Sequence, residues 1–252
     1  MTPLPTLGII TPTIGASTLL ACLQSVAAQT IPVVHYLVID GEQAGDAVHR
    51  QLNRLPDTSH LRQIFLQENV GKGFYGHRVY ASVPALCHTD YICYLDSDNT
   101  ISPTHAESLL QRIQTTQQVV SSVETSHVWA YSLRSIMSEE GTVLCEDDCE
   151  SLGQWPAYGP PETPYYHIDT SCYCLPRGLA ISCGPAWYGG WGQDRVFFRH
   201  LQQRSARYAC TGLSTVHYRL GGNEGSVRLD YFHAGNAAMR AHYGTQFPWR
   251  RP

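Results

Sequence analysis

Short apolar runs take turns with helix-period segments over residues 7–113, and few architectures accept that rhythm. Leu7-Gly8-Ile9-Ile10-Thr11 is short and apolar, as a strand covered on both faces must be. Pro12 stops it. Leu19, Leu20, Leu23, Val26 and Ala27 then recur at helical spacing, with Ser17 as N-cap. A second strand spans residues 33–39 and stops at Asp40-Gly41. A third spans 61–66, and a fourth spans 91–95 and ends at Asp96-Ser97-Asp98-Asn99. Residues 74–86 form a helix between the last two. Ser102-Pro103 supplies a cap and a first-turn proline for a helix with the apolar stripe Ala106, Leu109, Leu110 and Ile113. Strands separated by helices give a mostly parallel sheet with helices on both faces.

The rest of the chain has a different texture. Residues 119–145 are patchy and suit antiparallel strands. Residues 150–192 are rich in Gly, Pro, Tyr and Trp. A helix follows over 193–203, then short strands over 207–211 and 215–218. No repeat and no flexible linker divides the chain. The 252 residues are therefore expected to form one α/β domain, with a mostly parallel central sheet and a smaller antiparallel region, its halves at about 1–118 and about 119–252. With 17 basic and 21 acidic residues and no basic stripe, the chain is not built for a nucleic-acid backbone. Met1-Thr2-Pro3-Leu4-Pro5 lacks the marks of a leader, and no apolar run reaches the ~18 residues of a spanning helix. The expected location is the cytoplasm or a membrane surface. Nine cysteines lack a second pair at zinc-site spacing and read as small packed thiols.

Chemistry concentrates where strands end. Asp96 and Asp98 are two residues apart on an extended segment, so their carboxylates face one spot. Two such groups make a hard oxygen site for Mn²⁺ or Mg²⁺, completed by phosphate oxygens and water. Ligands of α/β sheets bind at the carboxyl ends of strands, where this pair falls. Asp at a strand end also forms turns, and spacing alone leaves both roles open.

The order of the pieces resolves this. Ile9-Ile10-Thr11-Pro12-Thr13, Leu23 to Thr30, Val38-Ile39-Asp40-Gly41, Glu68 to Gly73 and Leu95-Asp96-Ser97-Asp98-Asn99 succeed one another as the N-terminal elements of family 2 glycosyltransferases do. The chain resembles that family, and the resemblance implies the GT-A fold. It also implies a nucleotide site at Thr11, Pro12, Thr13, Asp40, Gly71, Lys72, Asp96 and Ser97, with a UDP-sugar as the favoured donor. Trp191-Gly192-Gln193-Asp194 resembles the acceptor segment of inverting members, which implies Asp194 as catalytic base and Trp191, Gln193 and Tyr188 as acceptor contacts. Gln193 stands where that family usually has Glu, and Gly76-His77-Arg78 where it often has Ala-Arg-Asn. His217 is the implied third metal ligand beside Asp96 and Asp98.

The expected activity is metal-dependent transfer of a sugar, with inversion, to a hydroxyl of a sugar-containing acceptor. The aromatic residues of 155–191 suit such an acceptor, because ring faces stack on sugar C–H faces. Arg219 or Arg228 is a candidate phosphate contact, beside a glycine-rich lid at 220–226. The rivals are a retaining transferase on the same fold, a sugar nucleotidyltransferase, and a carbohydrate-binding protein without turnover. Residues 11–18, with one glycine and no Lys or Arg, argue against the nucleotidyltransferase.

Overall fold

A computed structural model describes residues 5–119, 128–221 and 227–251. The four apolar runs become β1 (Leu7–Thr13), β2 (Val34–Asp40), β3 (Leu61–Leu66) and β4 (Tyr91–Tyr94), all mutually parallel. Between them lie α1 (Leu19–Ala27), α2 (Gly45–Leu52) and α3 (His77–Ser82). After β4 come β5 (Thr100–Ile101), α4 (His105–Val119), β6 (Trp129–Met137), β7 (Val143–Glu146), β8 (Tyr173–Pro176) and α5 (Arg177–Cys183). The last elements are α6 (Gln193–Arg204), β9 (Tyr208–Arg219) and α7 (Leu229–Tyr243). Among the described residues one sheet contains all nine strands, in the order β3-β2-β1-β4-β8-β6-β9-β5, with β7 added to β6.

β1, β2 and β4 are covered on both sides, which is why they are largely apolar, whereas the edge strand β3 exposes Arg62, Gln63 and Phe65. Leu37 and Ile39 of β2 pack with Leu19 and Leu23 of α1 and Val48 and Leu52 of α2. Val38, pointing the other way, joins the main core with Val79 and Tyr80 of α3 and Leu179 of α5. β8 runs antiparallel to both β4 and β6 and turns the parallel half into the second half.

Several local expectations shift. The helix expected over 74–86 shortens to α3, because Gly76 sits left-handed (φ 76°) before it and Pro84 tightens its end into a 3₁₀ turn. The two short strands expected after residue 207 are one strand, β9. Gly212 (φ 75°) absorbs an irregular register against β6, which β9 meets in parallel rather than antiparallel fashion. Thr18, not Ser17, stands at the start of α1; its hydroxyl donates to the carbonyl of Ser97 (3.3 Å). All nine cysteines are free, and all but Cys145 are buried. Among the described residues no helix is long and apolar enough to cross a membrane.

A buried ion cluster organises the second half. Arg134 on β6 donates to Asp147 (2.7 Å), Asp169 and Glu150 from the three nitrogens of one guanidinium. Asp147 also accepts the N–H groups of Cys149, Glu150 and Ser151. Burying a guanidinium is tolerable only with partners of this kind, and removing one would leave uncompensated charge in the core. The loops before β8 are thereby fixed to the sheet.

Candidate active site at the carboxyl edge of the sheet

Because β1, β2 and β4 are parallel, their carboxyl ends lie along one edge of the sheet. Thr13, Asp40 and the turn 96–99 fall there. The turn is held from two sides. Ser171, just before β8, accepts from the Asp96 N–H and the Asn99 amide, both at 3.3 Å. Arg219, at the end of β9, donates its backbone N–H to Asn99 Oδ1 (3.0 Å) and its Nε to the carbonyl of Asp98 (2.8 Å). Asp169 caps the turn that carries Ser171, so the Arg134 cluster is continuous with this clamp.

The two carboxylates meet electrostatic resistance. Tyr80 of α3 donates its hydroxyl to Asp96 Oδ1 (2.5 Å). Even so, burial first, then the charges of Asp98 and Asp169, push the Asp96 carboxyl up to about 8. Asp98 is raised as well, by burial and Asp169, against the pull of its own backbone N–H and of Arg219. Two half-buried oxygen donors that resist carrying negative charge side by side suit a divalent cation. Among the described residues no three His, Cys, Asp or Glu side chains group for one ion. The fit is therefore to a cation held by two carboxylates and completed by substrate phosphates, as Mg²⁺ commonly is.

Asp194 opens α6 after Gly192, which sits left-handed at φ 77°. Its Oδ2 lies 2.6 Å from Nε2 of buried His167, and its Oδ1 accepts the Arg195 N–H (2.8 Å). Burial opposes its charge, but His167 and the Arg195 N–H hold this carboxyl well below the usual range. The field of Asp194 reaches Asp96, so the candidate base and the acidic pair share one region. Exposed aromatics include Tyr188 and Trp191 just before α6, Tyr166 next to His167, and Tyr75, whose ring meets His77. Among the described residues Tyr75 is the one non-glycine with positive φ (53°), a conformation that concentrates at functional sites. Arg195 stacks on Tyr165 (4.0 Å) and approaches Trp191 (5.8 Å).

Several expected contacts are spent inside the protein. Thr11 is fully buried, and its hydroxyl pairs with His35 Nε2 (2.9 Å). Asp40 is 3% exposed and accepts the N–H groups of Val70 and Gly71, both at 2.8 Å. It shapes the 70–76 loop. A side chain on Gly71 would put its Cβ 2.6 Å from Asp40 Oδ2, so only glycine fits there. Thr13 Oγ1 accepts the Gly15 N–H (3.0 Å), Pro12 packs near Gly76, and Lys72 is exposed. Gln193 donates its amide to the Ala186 carbonyl (2.6 Å) and braces the turn below it rather than facing an acceptor.

His217 does not present a lone pair to the acidic pair. Its Nε2 pairs with Ser102 (3.0 Å) and its Nδ1 with Ser135 (2.7 Å). Arg219 is no free phosphate contact either, since its guanidinium also serves the carbonyls of Ser138 (3.3 Å) and Glu139. Arg228 is exposed just before α7, and residues 222–226 of the expected lid lie outside the described residues. Sequence reasoning missed Tyr80, His167 and Ser171, for which no local signal exists.

Residues 8–128 match the family model described as glycosyl transferase family 2, just under half of the chain. No curated protein sequence matches. Among solved structures, the chain is similar to S. aureus TarS 1–349 in complex with UDP-GlcNAc, at TM-score 0.58 and 13% identity, over 94% of this chain and 66% of that one. The complex of TarS 1–349 with UDP gives 0.57 and 13% over 85% and 60%. Longer S. aureus TarS gives 0.55 and 12% over 94% and 39%. At such identities the likeness shows the fold, which is GT-A. The chain spans no more than about two thirds of these proteins' length.

Proposed function

We propose, with the family 2 match as premise, that this chain is a metal-dependent glycosyltransferase acting on a UDP-sugar. It transfers the sugar, with inversion, to a hydroxyl of a sugar-containing acceptor. The observation that carries the reading is the pair Asp96 and Asp98 where β4 ends, with Asp194 near enough for its charge to act on Asp96. The UDP and UDP-GlcNAc complexes of TarS support the choice of donor. The reading assigns nucleotide binding to about residues 1–118 and the acceptor and base to about 119–252. The nine free thiols suit a reducing compartment and support the cytoplasm as the place of action.

Each residue has a defined task. Pro12, Thr13 and Gly71 border the nucleotide, Asp40 holds the 70–71 loop beside it, and Lys72 meets the diphosphate. Asp96 and Asp98 would hold Mn²⁺ or Mg²⁺, which screens the charge growing on the leaving diphosphate. His217 is left out of that set because both its nitrogens are engaged. Asp194 removes the acceptor hydroxyl proton as that oxygen bonds to the anomeric carbon and the sugar–phosphate bond breaks. Attack opposite the leaving group turns an α-linked donor into a β-glycoside. Trp191 and Tyr188 offer the acceptor sugar a stacking face.

Calorimetry or thermal shift with UDP and Mn²⁺ tests the donor assignment. UDP at about a hundred times its Kd adds about 2.7 kcal/mol, a rise of roughly 5–10 °C for a chain of this size. Asp40→Ala should shrink that rise, because Asp40 holds the loop at 70–71. A larger shift with a guanosine diphosphate would show the nucleotide assignment to be wrong. NMR of the glycoside product checks the stereochemistry. Retention of the donor's configuration would favour the retaining alternative.

A further inference from the structure

His167 is tied to Asp194 by more than proximity. Its ring is buried, with Nε2 at 2.6 Å from Asp194 Oδ2, while Nδ1 has no hydrogen-bond partner. Its backbone cannot drift. The His167 carbonyl accepts the Gly153 N–H (2.8 Å), and two residues on, the Asp169 N–H donates to Ser151 while Asp169 pairs with buried Arg134. Asp194 is more open, its side chain 24% exposed against 5% for His167. One oxygen of the carboxylate therefore rests on a fixed imidazole while the other accepts the Arg195 N–H. Facing a carboxylate, Nε2 must carry the proton. The unpartnered Nδ1 disfavours a second proton, and the Asp194 charge favours it.

We propose that His167 is the positioning residue of Asp194: its Nε2–H fixes the carboxylate that takes the acceptor proton, and its own charge state sets how readily that carboxylate accepts it. The inference rests on Asp194 being the base. With His167 charged, Asp194 sits in an ion pair and is a weak base. When His167 releases its second proton, Asp194 keeps its hydrogen bond and gains basicity. Burial lowers the His167 ring, but the Asp194 charge and hydrogen bond outweigh it and raise the ring above its ordinary value. Turnover should therefore rise with pH through the titration of His167. The other groups facing the pair are Glu150 and Arg134 toward His167, and His77 and the Arg195 N–H toward Asp194. The Tyr173 hydroxyl and Asp96 also lie in the field of Asp194.

Two measurements test this. The first is kcat against pH for wild type and His167→Gln, which keeps an N–H donor and cannot ionise. The rising limb of the wild type should vanish in the variant while KM for the donor stays within about twofold, since uniform binding is untouched. The second is ring NMR of His167 in wild type and Asp194→Asn. Loss of the anionic partner should move the His167 titration down by about one unit or more. An unchanged limb in His167→Gln, or an unmoved titration in Asp194→Asn, overturns the proposal. If His167→Gln fails to fold, the NMR comparison decides. Near-normal kcat in Asp194→Asn would overturn the parent assignment of the base, whereas a failed pH or NMR result with kcat lost would overturn the pairing alone.

Discussion

Asp194→Asn is expected to lower kcat by ~10²-fold or more, the usual range for loss of a general base, with UDP affinity nearly unchanged. Asn keeps the size and shape of the side chain but cannot take a proton at neutral pH. Its single amide oxygen can still accept from His167 or from the Arg195 N–H, though not from both as the carboxylate does. Some loss of stability should therefore accompany the kinetic effect. The competing role for Asp194 is support of the α6 N-terminus, where a carboxylate is typically worth ~0.3–1 kcal/mol. That role predicts a lower Tm with near-normal turnover. Saturating kcat beside UDP affinity separates the two. Near-normal kcat would remove Asp194 from the mechanism, and loss of UDP binding together with kcat would mean that the substitution had disturbed the whole edge.

What the sequence reveals depends on how local each feature is. β1, β2 and β4 are legible because a strand buried on both faces must be apolar; Asp40 and Asp96 mark the ends of β2 and β4, but β1 runs on through Pro12 to Thr13, and β3 shows in the sequence although much of it is exposed. α2 and α7 escape notice because few of their residues are both buried and apolar: Val48 and Leu52 in α2, Phe232 and Met239 in α7. β9 is split in the sequence by Thr211-Gly212-Leu213-Ser214, which breaks apolar periodicity without breaking the strand.

The same division holds at the site. A carboxylate at a strand end is visible in the sequence; its partner is not. Tyr80 lies 16 residues from Asp96, His167 27 from Asp194, Ser171 75 from Asp96 and Arg219 121 from Asp98, so topology alone brings them together. Residue type can also mislead. Thr11, Gln193 and His217 have the right chemistry for ligands, yet the fold uses their polar atoms to hold His35, the Ala186 carbonyl and two serines. Buried polar groups must be satisfied, and a neighbour within the protein satisfies them as well as a substrate would.

Asp98→Ala should abolish turnover while leaving the protein folded, and EDTA should do the same to the wild type until Mn²⁺ or Mg²⁺ is restored. The first half of this expectation follows from how the turn is held. Arg219 grips the carbonyl of Asp98, and Ser171 and Asn99 hold the backbone around it; the carboxylate is not part of that clamp. Removing it also relieves repulsion, since Asp98 is among the charges that raise Asp96. Without metal, the variant's Tm should match or exceed that of the wild type. The second half follows from the same repulsion. Two carboxylates kept close at a cost in electrostatic energy have a use for a cation that offsets it, and a diphosphate leaving group has the same use. The stabilisation by UDP with Mn²⁺ should therefore shrink sharply in Asp98→Ala. Full activity in EDTA would sink the metal assignment, and an Asp98→Ala protein that unfolds would show that the carboxylate serves the turn after all.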